Sequence, residues 1–168
     1  MEVFTNDGKG KTSTALGVVL RPSGHDSKIF TVFFMKGSFP YGEQKALSQL
    51  PNVPFARFGQ ETFVAPGNVT EADKEEAKKA LDAARKALLS EDYDIVILDE
   101  INVSVAWKLI DINEVIKLIQ EKPEGVELIL TGRYADEKLV DLTALVTDMT
   151  KGKHPYDKGI LARKGIDY

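Results

Sequence analysis

The sequence predicts an α/β protein, a parallel sheet flanked by helices, and two observations carry that expectation. Apolar runs alternate with helical patterns along the whole chain, the arrangement that places crossover helices over parallel strands. The chain also opens with a short apolar run, a glycine-rich turn and a helical pattern in immediate succession. At 168 residues it is long enough to bury a core on both faces of a sheet. With no internal repeat, low-complexity tract or linker, one domain over residues 1–168 is expected.

The first run, residues 3–5, reads as a strand and leads into "NDGKGKTSTA", residues 6–15. Strand, glycine turn and helix form the setting of a phosphate-binding loop. Glycines there let consecutive backbone N–H groups turn inward around an anion, and the helix N-terminus behind them adds partial positive charge. Lys11 is placed to reach the outer phosphates and Thr12 to offer a hydroxyl to Mg²⁺. Asn6, Asp7, Gly8, Lys9, Gly10 and Ser13 complete the candidate loop. The general pattern asks for Gly where this chain has Thr5, and a lysine-rich hairpin turn is the plainer alternative.

Residues 12–20 read as the first helix, and His25 behind Gly24 as a turn residue. The second strand, 29–34, leaves as Met35-Lys36-Gly37, which makes Lys36 either a site residue or a surface charge. A third strand is expected at 53–58. The clearest helix spans 70–89, where Thr70 and Asp73 form a capping box and Ala77, Leu81, Ala84 and Leu88 recur on one face. The fourth strand, 95–98, is a buried-type run ending in Asp99-Glu100. A further helix over about residues 112–121 precedes the fifth strand, 126–131, which ends Thr131-Gly132-Arg133. A sixth short run occupies 144–146.

Ligands of such sheets collect beyond the carboxyl ends of the strands. A phosphate loop, paired acids for Mg²⁺ and an arginine able to fork onto phosphate all leave one edge. Asp99 and Glu100 also suit capping of the next helix, and Arg133 a plain surface position. Nothing in the composition assigns a role to His154.

Composition narrows the function further. A net charge of −4 carries no electrostatic footprint for nucleic acid. Without cysteine there is neither a disulfide nor thiol catalysis. No run reaches the length of a membrane span and residues 1–20 lack a secretory signal's order, so a soluble, cytoplasmic protein is expected. No His/Asp/Ser triad can be assembled, and Glu100 alone is an obvious candidate base. A nucleophile supplied by the substrate would account for that.

In order along the chain, "NDGKGKTSTALG", "GHDSKIFTVFFMKG", "YGE", "DYDIVILDEIN", "LILTGR" and "KHPYDKGILARKGIDY" make the sequence similar to a known family. It resembles the ATP-dependent corrinoid adenosyltransferases of the bacterial cobalamin pathway, which act on cob(I)alamin and cob(I)yrinic acid a,c-diamide. The resemblance implies the phosphate-loop NTPase (RecA-like) architecture and an activity in adenosylcobalamin synthesis or salvage. It implies that Co(I) of a reduced corrinoid attacks the 5′ carbon of ATP and expels the whole triphosphate. Gly8, Lys9, Gly10, Lys11 and Thr12 match residues that wrap the phosphates, and Glu100 matches a glutamate that joins the Thr12 hydroxyl at Mg²⁺. A generic phosphate-loop enzyme would give that contact to Asp99, so both acids stay in the candidate site and Glu100 is favoured. Lys11, Glu100 and Arg133 are the expected catalytic residues, and Lys36 an expected ATP contact. Phe63 matches an aromatic that lies on the lower corrin face and displaces the axial ligand, so that a flavodoxin-like donor can reduce four-coordinate Co(II). A homodimer is implied as well.

Departures from the family pattern stand at Asn6, in place of the usual Gly, and at Ala65, in place of a second aromatic. The sequence starts at the first strand, where longer members carry an N-terminal arm. Asn6 requires either a positive φ, which Asn tolerates, or an altered turn. Two other functions fit the same residues: a phosphotransferase or ATPase, and a nucleotide- or corrinoid-binding protein without turnover.

Overall fold

The computed structural model describes residues 1–61 and 64–168. Strands β1 (Glu2–Thr5), β2 (Ile29–Phe33), β3 (Phe55–Arg57), β4 (Ile95–Asp99), β5 (Glu127–Thr131) and β6 (Leu145–Asp148) form one sheet in the order β3-β2-β4-β5-β1-β6. Every pairing is parallel. The helices are α1 (Lys11–Ser23), α2 (Gly42–Leu47), α3 (Glu71–Leu89), α4 (Ile101–Ala106), α5 (Ile112–Gln120) and α6 (Glu137–Asp141), followed by a 3₁₀ turn at Pro155–Lys158. The α/β class read from the sequence is the observed one.

Side chains of a strand alternate between faces, and the two cores follow that alternation. Phe4, Ile29, Phe33, Ile97 and Ile129 meet Ala15 and Val19 of α1 on one face. Val3, Val32, Val96, Leu98, Leu128 and Leu130 meet Ala77, Ala80, Leu81, Ala84 and Leu88 of α3, with Val115 and Leu118 of α5, on the other. Burying a side chain of this size is worth about 1.5–3 kcal/mol. Helix α3 starts with the expected capping box: Thr70 accepts from the Asp73 backbone and Asp73 from that of Thr70.

The differences from the sequence reading have local causes. The third strand is shorter than 53–58 because Pro54 has no N–H for the ladder and Val53 closes a turn onto Leu50 instead. Helix α1 runs on to Ser23 through Pro22 in its last turn, and His25 falls in the turn behind it. Helices α2, α4 and α6 are five or six residues long, too short for a 3.6-residue period to register. No helix among the described residues is long and apolar enough to cross a membrane.

Candidate functional site

The four central strands all leave the carboxyl edge through left-handed backbone: Asn6 after β1 (φ 77°), Met35 after β2 (φ 57°), Glu100 after β4 (φ 66°) and Gly132 after β5 (φ 125°). Such conformations cost non-glycine residues about 1–3 kcal/mol each and persist only where the surroundings impose them. They turn the chain sharply and bring the four exits around one cavity of about 830 Å³. That volume suits a ligand of nucleotide size or larger.

The loop between β1 and α1 is braced from behind. Asn6 takes up the positive φ, and its Oδ1 accepts from the Asp7 backbone at 2.8 Å. Asp7 in turn accepts from the Lys151 backbone at 3.1 Å. The Gly8 N–H donates to the Met149 carbonyl at 2.5 Å, an approach so close that a Cβ on Gly8 would fall on the backbone of Met149. Gly8 to Ser13 line the cavity, whereas Asn6 and Asp7 stand outside the lining and hold the loop's shape. Thr12 and Ser13 lie in the first turn of α1.

Lys11 is 7% exposed and donates to the Gly8 carbonyl at 2.6 Å. Burial lowers its pKa and Arg133 lowers it further, while Glu100, Asp7 and Asp99 act in the opposite sense. Arg133 lines the cavity, is exposed, and makes no ion pair with any described residue.

Adjacent acids at the end of β4 have different surroundings. Asp99 is 1% exposed; its Oδ1 accepts from the Thr131 hydroxyl at 2.7 Å and its Oδ2 lies 2.8 Å from the Lys36 ammonium. Lys36 also lies 3.3 Å from Glu43 and against the rings of Phe33 and Tyr41. Burial opposes charge on Lys36, but Asp99 and then Glu43 prevail and raise its pKa above the usual lysine range. Asp99 does not line the cavity; Glu100 does. Glu100 starts α4 without capping it through its side chain, and its carboxyl is pushed up to about 7, by burial first and by Asp99 second.

Among the described residues no three His, Cys, Asp or Glu side chains cluster as a metal site. Mg²⁺ asks for less, since it commonly takes one or two carboxylates together with substrate phosphates and water. The Glu100 carboxyl and the Thr12 hydroxyl are hard oxygen donors lining one cavity, so the donor set fits. Both Asp99 oxygens are already engaged by Thr131 and Lys36.

The structure thus brings Gly8, Lys9, Gly10, Lys11, Thr12, Ser13, Lys36, Glu100 and Arg133 to one cavity. Phe63 lies outside the described residues. Sequence reasoning assigned no role to the chain's last segment, which crosses the loop: Lys9 donates to the Ile166 carbonyl at 3.0 Å and pairs with Asp167. The Tyr168 ring packs on Phe39 at 5.1 Å, and His154 accepts from the Tyr156 backbone at the cavity rim. The "KHPYDKG" crowding was the available signal for that segment.

An all-parallel sheet with a glycine loop, a buried lysine, an acid and an arginine around one cavity at its carboxyl edge defines an α/β protein whose candidate site lies where ligands of such sheets collect. More narrowly, the chain belongs to the family "ATP:corrinoid adenosyltransferase BtuR/CobO/CobP", whose family model matches residues 1–168. A corrinoid adenosyltransferase of Escherichia coli K12 is 32% identical over 166 residues, 99% of this chain and 84% of that one. The corrinoid adenosyltransferase CobA of Salmonella typhimurium LT2 is 34% identical over 171 residues, 99% and 84% of the two chains. One from Sinorhizobium is 34% identical over 169 residues, covering 99% and 78%.

Proposed function

We propose that this chain transfers the 5′-deoxyadenosyl group of ATP to the Co(I) of a reduced corrinoid and releases tripolyphosphate. Co(I) donates an electron pair to C5′, the C5′–O bond breaks, and that bond's pair leaves on the triphosphate oxygen; an alkyl–Co(III) product results. The nucleophile belongs to the substrate. What remains for the protein is to hold C5′ in line with cobalt and to stabilise charge on the departing triphosphate.

The carrying observation is the distribution of charge around the cavity: Lys11 and Arg133 face it from two different strand exits, and among the described residues it has no thiol and no serine hydrogen-bonded to a histidine, the His154 Nδ1 being taken by the Tyr156 backbone. Lys9, Gly10 and Lys11 would cradle the phosphates with their backbone N–H groups while Gly8, its N–H donated to Met149, braces the loop, and Arg133 would close over them from β5. Glu100 and the Thr12 hydroxyl would hold Mg²⁺, which supplies charge neutralisation to the triphosphate when bound. Lys36 would act at the cavity wall with its charge maintained by Asp99. Phe34, Val103 and Trp107 add an apolar side to the same cavity, a suitable surface for a corrin macrocycle. A homodimer and a flavodoxin-like electron donor belong to this reading through the family resemblance.

The test is an anaerobic reaction with ATP, Mg²⁺ and chemically reduced corrinoid, following loss of Co(I) absorbance and the phosphorus NMR spectrum. Tripolyphosphate should appear in step with product. A second reading, phosphoryl transfer with Glu100 as base, draws on the carboxyl pKa of about 7 and would yield ADP instead.

A further inference from the structure

We propose that Thr131 and Asn102 are positioning residues, a crossed pair of hydrogen bonds that sets Glu100 and Arg133 relative to the phosphate loop. The inference rests on the reading of Glu100 and Arg133 as groups that handle ATP. Thr131 ends β5 and is fully buried. Its hydroxyl has one proton and two lone pairs, and both functions are used: it donates to Asp99 at 2.7 Å and accepts from the Glu100 backbone N–H at 3.0 Å. A β5 residue thereby holds the β4 exit in its left-handed turn.

Asn102, two residues beyond Glu100, does the reverse. Also fully buried, it donates from Nδ2 to the Gly132 carbonyl at 3.1 Å, so a residue following β4 holds the β5 exit one position before Arg133. The two exits are in close packing here. A Cβ on Gly132 would lie 3.1 Å from the Asn102 Cβ and 3.1 Å from the Val103 N, at a φ of +125° that disfavours any side chain.

Neither Thr131 nor Asn102 lines the cavity, so each acts through the residue it holds. The Asn102 Oδ1 is buried without a hydrogen-bond partner among the described residues, a desolvation cost that an apolar residue of the same size would avoid. Packing alone therefore does not explain an amide at this position; orientation of the Gly132 carbonyl does. The sequence segments "LDEIN" and "LTGR" are, on this account, one device in two pieces.

Double-mutant cycles with two readouts test it, adenosylation kinetics with reduced cobalamin and calorimetric ATP binding with Mg²⁺ or with EDTA. Thr131→Val should lower kcat by about 10- to 100-fold, the scale of an ångström-level misplacement. It should also shrink the gain in ATP affinity that Mg²⁺ confers, with affinity in EDTA unchanged, and Thr131→Ser should restore both. On a Glu100→Gln background the same change should cost less than about twofold, as should Asn102→Ala on an Arg133→Ala background. If Thr131→Val does not fold, Thr131→Ala carries the same expectations. Full multiplication of the effects, or an unchanged Mg²⁺ gain in Thr131→Val, overturns the clasp while leaving the site reading standing. Wild-type turnover and Mg²⁺-dependent binding in both Glu100→Gln and Arg133→Ala would overturn the site reading, and the clasp with it.

Discussion

Replacing Glu100 by Gln should stabilise the free protein at alkaline pH while impairing its reaction with ATP. The Glu100 carboxyl is pushed from 4.5 up to about 7 by burial and by the neighbouring Asp99, with Lys36, Lys11 and Arg133 offsetting part of the shift. In the unfolded chain the group ionises near its ordinary value. Below that value both states hold the proton and the residue contributes no pH dependence. As pH rises from about 4.5 to 7 the unfolded chain releases the proton and the native protein retains it, so stability falls; above about 7 both states are ionised and the loss is complete. At about 1.4 kcal/mol per pH unit the loss is about 3 kcal/mol at pH 8. An uncharged amide in place of the carboxyl would remove it, and the Glu100→Gln variant should gain that amount over wild type at pH 8 and almost none at pH 4.5. Urea unfolding of both proteins at several pH values, without nucleotide or metal, measures the difference. An equal difference at pH 4.5 and pH 8 would refute the assignment of a buried, proton-holding Glu100. With ATP and Mg²⁺ present the order should reverse, because wild type gains a ligand that the variant holds poorly.

Lys11→Ala should lower adenosylation by about 10²-fold or more, with far-UV circular dichroism unchanged, since it removes the ammonium at the head of α1 that faces the cavity. Gly8→Ala should destabilise the protein by about 1–3 kcal/mol in urea and weaken ATP binding, because its Cβ meets the Met149 backbone and the loop has to shift. Asp167→Asn should release Lys9, whose ammonium together with Arg163 holds the Asp167 carboxyl well below the usual range. ATP affinity should then rise by less than about fivefold in calorimetry at low salt, and the gain should vanish at high salt.

The strands and the long helix were legible because their signals are local. Apolar runs such as "DIVILDE" and the Thr70–Asp73 capping box depend on residues a few positions apart. The short helices carried no such period, and the third strand's start turned on the missing N–H of Pro54. Asn6 was legible as a choice between two outcomes, and the structure selects the positive φ. The site's charged members were legible as strand exits, since a parallel sheet sends all its carboxyl ends to one edge.

Sequence by itself determined the α/β class, the strand exits and the residues they carry toward the cavity, because polarity pattern and chain direction are properties of the covalent chain. By pattern alone, Asp99 and Glu100 are two equivalent adjacent acids. The family resemblance favoured Glu100 for the metal, and the tertiary structure shows the physical difference between the two. Asp99 ends a strand whose register sets it beside Phe33 of β2, within reach of Lys36 and Thr131, which consume its oxygens. Glu100 takes a left-handed turn that swings its carboxyl to the cavity. The Lys9–Asp167 pair and the Asn102–Gly132 bond were likewise decided by folding, since they join residues 158 and 30 positions apart. Contacts between segments so distant exist only once the sheet has fixed which elements are neighbours, and no local pattern encodes them.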